Sequence, residues 1–90
     1  MSELPRDVLA TIREVALREL DFDGPVELTS TLQGQLRLDS VSMVVVAIAL
    51  ENRFRVCLQE EDAGAIVTVR DLVDLVCLRV AEQRPAELHP

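Results

Sequence analysis

A chain of 90 residues with 16 acidic and nine basic side chains, a formal charge of -7 and a pI near 4.5 is one small domain. The acidity disfavours nucleic acid, whose phosphates need a basic surface, and suits docking onto basic partners. With 49% apolar residues the chain can fold rather than stay disordered, but two Phe and no Trp or Tyr leave an aliphatic core and no room for a deep substrate cavity as well.

The first segment, Glu3 to Leu20, reads "ELPRDVLATIREVALREL". Pro5 suits the first turn of a helix, and Asp7 stands where the helix dipole favours acid. Leu9, Ile12, Ala16 and Leu20 recur at three- or four-residue spacing beside Val8 and Val15, with Arg6, Arg13, Glu14, Arg18 and Glu19 on the remaining surface. This predicts an amphipathic helix. "DGP" then breaks it, and a long connection runs to Asp39 carrying Val26, Leu28, Leu32, Leu36 and Leu38. Loops of that length are uncommon and often functional. Its apolar residues predict a loop pinned to the core, with room for a short helical turn.

The run "VSMVVVAIAL", Val41 to Leu50, follows "LDS". Its valines fit a buried strand, but no other good strand exists to pair with it, and the apolar pattern continues through "ENRF". A helix from Ser40 to about Phe54 is the better reading, with Asp39 as its N-cap. At about 100° per residue, Met43, Val46, Ala47, Leu50 and Phe54 share one side, which becomes the expected core face. Val41, Val45, Ile48 and Asn52 lie almost opposite and become the expected docking face, so Val45→Glu is expected to leave the fold intact. The run is far shorter than the ~18–20 residues that span a bilayer.

Beyond it, the acidic piece Glu60 to Ala65 predicts one or two helical turns, and the run Glu60, Glu61, Asp62 reads as a solvated face. "TVRD" places Thr68 and Asp71 as a near-capping box ahead of Val69, Leu72, Val73, Val76 and Val80 at helical spacing. Pro85 ends the order, giving one domain over 1–84 and a frayed tail over 85–90. Three principal helices plus a short one make a small all-α bundle. Cys57 and Cys77 lack CxxC or zinc spacing and read as small, mostly buried side chains of a reducing compartment. "MSELPRDVL" has no hydrophobic h-region, so no signal peptide is expected. A cytoplasmic protein follows.

Catalytic chemistry has little to stand on. The single His, His89, lies in the tail, far from Ser40 in sequence, and no G-x-S-x-G elbow surrounds that serine. No metal cluster is expected from one His and scattered carboxylates. The acidic run lacks the alternation of an EF-hand loop. Ser40 at a loop–helix junction, with acid before it and an apolar stripe behind, fits either plain capping or modification by another enzyme.

These residues resemble an acyl carrier protein. "LRLDSVSMVVVAIALENRF" follows the family pattern of Leu, two residues, Asp-Ser, then an apolar helix ending in Ala-Leu-Glu and Phe. "LQEEDAGAIVTVRDLVDLV" follows its second signature, and the resemblance runs from Leu4 to about Val80. It implies a four-helix bundle with a long loop between the first two helices, and a carrier rather than an enzyme. Ser40 would be the attachment residue for 4'-phosphopantetheine, added from coenzyme A by a phosphopantetheinyl transferase that recognises Asp39. The arm would hold an acyl or aminoacyl group as a thioester, received from a loading enzyme (ligase, adenylation enzyme or acyltransferase) and passed to a downstream synthase or transferase. Val41, Val45, Ile48 and Asn52 would form the partner-docking face of a monomer. An unmodified helical adaptor using the same face is the alternative.

The chain departs from the family pattern in informative ways. Asp-Ser-Leu becomes Asp39-Ser40-Val41, and the glycine usual two residues before the serine is replaced, with Arg37 and Leu38 in that stretch. From Leu36 to Leu58, Arg37, Arg53 and Arg55 stand against Asp39 and Glu51, a local charge of +1. The acidity therefore lies away from the docking helix. That balance points to hydrophobic docking and to a dedicated route, polyketide or nonribosomal peptide in kind, rather than housekeeping fatty-acid synthesis.

Overall fold

The computed structural model describes residues 3–22, 24–59, 62 and 64–83. Its helices are α1 (Leu4–Glu19), α2 (Ser40–Phe54) and α3 (Val69–Gln83). The fold is all-α, and among the described residues the one β feature is an isolated bridge between Thr31 and Thr68. Of the short helix expected over 60–65, Glu60, Glu61 and Ala63 lie outside the described residues. Asp62 is helical there, its N–H donating to Gln59 O at 3.0 Å while its carbonyl accepts from Ala65 N at 3.0 Å. The tail expected over 85–90, His89 included, also lies outside the described residues.

α1 forms where its apolar spacing predicts, with Pro5 in the first turn and Asp7 beside it. Val8, Ile12, Val15 and Ala16 are buried, while Leu9 and Leu20 pack half-buried against them. The helix ends at Glu19 with Leu20 as its C-cap, where the expected segment ends. Asp21 turns left-handed (φ 56), and the Phe22 N–H reaches back to Ala16 O at 2.8 Å. That folds Phe22 back onto the core after a left-handed residue, the conformation in which helices commonly stop.

The connection to α2 is held tightly. Val26, Leu32, Leu36 and Leu38 are buried, whereas Leu28, expected with them, is exposed. Arg13 Nε donates to Val26 O at 2.9 Å, tying the loop to α1. Backbone bonds from Leu32 N to Val67 O, Val69 N to Ser30 O and Arg70 N to Leu28 O, each 2.9 Å, clip it to the start of α3. Loops with this many paired backbone groups and buried leucines are fixed rather than loose.

α3 starts as the capping box predicts. The Asp71 N–H donates to Thr68 Oγ1 at 3.3 Å, and Asp71 Oδ2 accepts from the Thr68 N–H at 3.1 Å and the Val67 N–H at 2.9 Å. Those bonds hold the Asp71 carboxyl below its usual range, the Val67 N–H contributing most. Val69, Leu72, Val73, Val76 and Val80 are all buried, and α1 packs against both α2 and α3. Thr68→Ala is expected to lower unfolding stability by about 1 kcal/mol, with Thr68→Ser restoring most of it. Urea denaturation followed by circular dichroism measures both, and a loss as large in the Ser variant would put the effect on the methyl group instead of the cap.

Candidate functional site

α2 begins at the Asp39-Ser40 step, and the local chain explains why it begins there. Leu36 and Leu38 are both buried, so the residue between them has to turn the backbone out and back. Arg37 does so in the left-handed region (φ 57), a conformation that costs a residue with a Cβ roughly 1–2 kcal/mol. Burial of the two leucines, with the Leu38 N–H donating to Leu32 O at 2.9 Å, offsets that cost. Asp39 then stands in extended conformation and caps the helix, its Oδ1 accepting the Ser42 N–H at 2.8 Å. That hydrogen bond is the main reason its carboxyl titrates below the usual range, with the Ser42 hydroxyl adding to it.

Ser40 is therefore the first residue of α2, and its side chain is exposed. The Asp39 carboxylate is turned to Ser42, so it is arranged as a cap and a surface charge and not as a base for the Ser40 hydroxyl. No other acidic residue stands in the first turn of α2. The exposed hydroxyl thus sits at the positive end of a helix dipole, a position that favours an attached anion.

Behind the serine lies an open cleft of about 380 Å³ between α2 and α3. Ser40, Met43, Val44, Ala47, Ile48 and Glu51 line it from α2. Their spacing of three and four residues makes one stripe, rising roughly 16 Å from Ser40 to Glu51 at 1.5 Å per residue. Ile66, Leu72 and Leu75 face them. Its lining is mostly aliphatic, with carboxylates at Asp39, Glu51 and Asp62. The sequence places Ser40 at a helix start but does not show this cleft, because its second wall comes from residues 15 or more positions further along the chain.

The two faces of α2 are not divided as the wheel predicts. Val46 and Leu50 are buried as expected; Met43, Ala47 and Phe54 are half-buried. Val41 is 72% exposed and Ile48 50%, and Asn52 is exposed. Val45, however, is half-buried against the core, in a groove with Val15 and Arg18 of α1. Val44 takes the outward position at 55% exposure. The valine facing outward in the middle of the helix is Val44.

Val45→Glu, expected from the sequence to leave the fold intact, is instead expected to cost about 1–2 kcal/mol, while Val44→Glu stays within ~0.5 kcal/mol. Paired urea titrations test this, and equal effects would mean that α2 sits rotated from the position described.

Two further expectations change, for Cys57 and Asp62. Cys57 is exposed rather than buried, and Cys77 is half-buried; burial, with Asp74 nearby, pushes the Cys77 thiol above its usual range. Asp62 is half-buried and ion-paired with Arg79 at 2.9 Å, so it is not simply part of a solvated acidic face; Glu60 and Glu61 lie outside the described residues. Glu51 is also engaged, its Oε2 accepting the Leu58 N–H at 2.8 Å. Among the described residues no cluster of three His, Cys, Asp or Glu is placed to hold a metal ion. Nor is any helix there long and apolar enough to cross a membrane.

No family model matches the chain. Individual proteins do. The acyl carrier protein of Campylobacter concisus is 30% identical over 70 residues, covering 77% of this chain and 91% of its own length. That of Myxococcus xanthus is 28% identical over 71 residues, 78% of this chain and 90% of its own. The crystal structure of the acyl carrier protein from Thermotoga maritima superposes with a TM-score of 0.78 at 24% identity, over 88% of this chain and 93% of that one. A likeness in sequence that extends over nearly the whole of its relatives, on the same all-α frame, places this chain in the acyl carrier protein family, whose members are carriers rather than enzymes.

Proposed function

We propose that Ser40 carries 4'-phosphopantetheine and that the protein conveys an acyl or aminoacyl group between biosynthetic enzymes. The observation that carries the reading is the exposed Ser40 side chain, at the start of α2 and at the mouth of the apolar cleft. In the loading step Ser40 Oγ gives up its proton and bonds to the phosphorus of coenzyme A bearing the pantetheine, and 3',5'-ADP leaves. Once attached, the arm supplies the thiol on which cargo rides as a thioester. The chain's own residues do the rest. Asp39 fixes the helix start and presents a charge to the transferase, the helix dipole favours the phosphodiester, and the aliphatic stripe below Ser40 offers shelter to apolar cargo.

The exposed side chains of Val41, Val44 and Ile48 support a partner-docking face that works through apolar contact. With Arg53 close to it in sequence and a local charge of +1 from Leu36 to Leu58, this face is poorly suited to steering by basic partners. That favours a dedicated polyketide or nonribosomal-peptide route over general fatty-acid synthesis. A phosphopantetheinyl transferase, a loading ligase, adenylation enzyme or acyltransferase, and a downstream synthase or transferase are the partners this role needs, in the cytoplasm, with the carrier as a monomer.

Intact mass after incubation with coenzyme A and a promiscuous phosphopantetheinyl transferase tests the assignment. The expected result is a gain of one phosphopantetheine on the wild type and none on Ser40→Ala. Labelling that persists in the Ala variant would move the site elsewhere. No labelling of the wild type beside a working control carrier would favour the unmodified adaptor.

A further inference from the structure

Arg37 stands three residues before Ser40 in the left-handed region (φ 57), with its side chain exposed. The local chain accounts for the angle. The Leu36 N–H donates to Thr31 O at 3.0 Å and the Leu38 N–H to Leu32 O at 2.9 Å, and both leucines are buried. Glycine takes a left-handed angle without cost, and Asn takes it more readily than a long side chain does. The turn thus requires the backbone angle and not the guanidinium. A residue held off its preferred conformation beside a reactive group points to work done by its side chain.

That work is not within the fold. Among the described residues the side-chain ion pairs join Arg18 to Glu14 and Arg79 to Asp62 and Glu82, and Arg37 enters none of them. Asp39, the next exposed residue, gives its carboxylate to the Ser42 N–H at 2.8 Å instead. With Leu36 and Leu38 turned into the core, Arg37 and Asp39 both stand on the outer side of the chain that leads to Ser40. Three residues of extended chain span no more than about 11 Å, an interval that an arginine reaching from one end and a seryl phosphate from the other can close.

The charges around Ser40 call for such a partner. Asp39 titrates below the usual carboxylate range, so at neutral pH it would face a phosphodiester on the adjacent residue as a like charge. The described lining of the cleft adds carboxylates at Glu51 and Asp62 and contains no arginine. After Arg37 the next basic residue along the chain is Arg53, in the last turn of α2. Arg37 is the cation that the chain itself supplies next to the serine.

We propose that Arg37 is a phosphate-binding residue: its guanidinium donates to the phosphoryl oxygens of coenzyme A as Ser40 Oγ attacks, and stays on the phosphodiester once the arm is attached. The inference rests on the carrier reading. It adds that this chain, and not the transferase alone, neutralises the charge on those oxygens as 3',5'-ADP leaves.

Three variants separate charge from backbone. Arg37→Asn and Arg37→Gly remove the guanidinium in residues that accept the left-handed angle, and Arg37→Lys keeps the charge. Initial rates of mass gain with coenzyme A and a promiscuous transferase are measured over a range of carrier concentrations. For the Asn and Gly variants kcat is expected to fall about tenfold, the scale of one charge-assisted hydrogen bond made during transfer, with KM for the carrier unchanged. Arg37→Lys is expected to stay within about threefold of wild type, since it keeps the charge but loses the planar fork. The urea midpoint of Arg37→Asn is expected at or above that of wild type, so slow loading does not come from a damaged fold. A lower midpoint would make the guanidinium a structural group and overturn the proposal. The loaded proteins give a further readout: the phosphorus NMR resonance of the phosphodiester is expected to differ between wild type and Arg37→Asn, and coincident resonances would overturn the pairing. So would wild-type kcat in Arg37→Asn, or a raised KM at unchanged kcat, which would make Arg37 a docking contact for the transferase. Failure of the wild type itself to load beside a working control carrier is a different result, which removes the carrier reading and this inference together.

Discussion

Leu50→Ala is expected to remove about 2–5 kcal/mol of unfolding stability, the range for a fully buried large-to-small change in a core that cannot wholly collapse. Leu50 is 0% exposed and belongs to one continuous cluster with Val8, Ile12, Leu72 and Val76. The helix itself would not object, because Ala is the better helix former. The loss is therefore a packing loss. Domains carry roughly 0.05–0.15 kcal/mol per residue, so for a chain this short the change removes a large share of the total, and the melting temperature is expected to fall by roughly 10 °C or more. With no Trp or Tyr in the chain, circular dichroism is the convenient probe. Ile48→Ala, on the same helix but half exposed, serves as the comparison and is expected to stay below about 1 kcal/mol. A Leu50→Ala loss no greater than that of Ile48→Ala would mean that α2 does not seal the core at this position.

The core positions of α2 show what is legible from the sequence. Leu50 and Val46 could be assigned to the core because their spacing agrees with Phe54 and because the acidic and basic residues of α1 and α3 mark the outer faces of those helices clearly. The capping residues Asp39 and Thr68 were equally legible, since a short polar side chain before an apolar run has few other uses. Val44 and Val45 could not be separated. A helix apolar on all sides carries no periodic signal for its second face, and the choice is made by α1, whose Val15 and Arg18 flank Val45. Leu28 and Cys57 are exposed against expectation for a related reason: apolar character favours burial but does not decide which residue of a connection finds space in the core. The cleft and its Arg79–Asp62 tie depend on chain segments brought together only by folding. No local pattern announces a contact of that kind.

Replacing Ser40 by Ala is expected to abolish phosphopantetheine loading outright while leaving stability within ~0.5 kcal/mol, since the residue is exposed and Ala is tolerated at the first position of a helix. That pairing of total functional loss with structural neutrality distinguishes an attachment site from a damaged fold. Asp39 requires a finer dissection, because it both caps α2 through the Ser42 N–H and presents a charge next to the serine. Asn caps as well as Asp, so Asp39→Asn keeps the helix start and removes only the charge. If the transferase reads the charge, Asp39→Asn should slow loading about tenfold at unchanged stability, within the range over which association rates vary among variants of one interface. Asp39→Ala should slow it at least as much and also lower stability. If the transferase instead reads the geometry of the helix start, Asp39→Asn should load at the wild-type rate and only Asp39→Ala should fail. Initial rates of mass gain for the three proteins, measured at two salt concentrations, separate the cases: a charge-reading transferase loses its preference for Asp over Asn as salt rises, whereas a geometry-reading one treats the two alike at both.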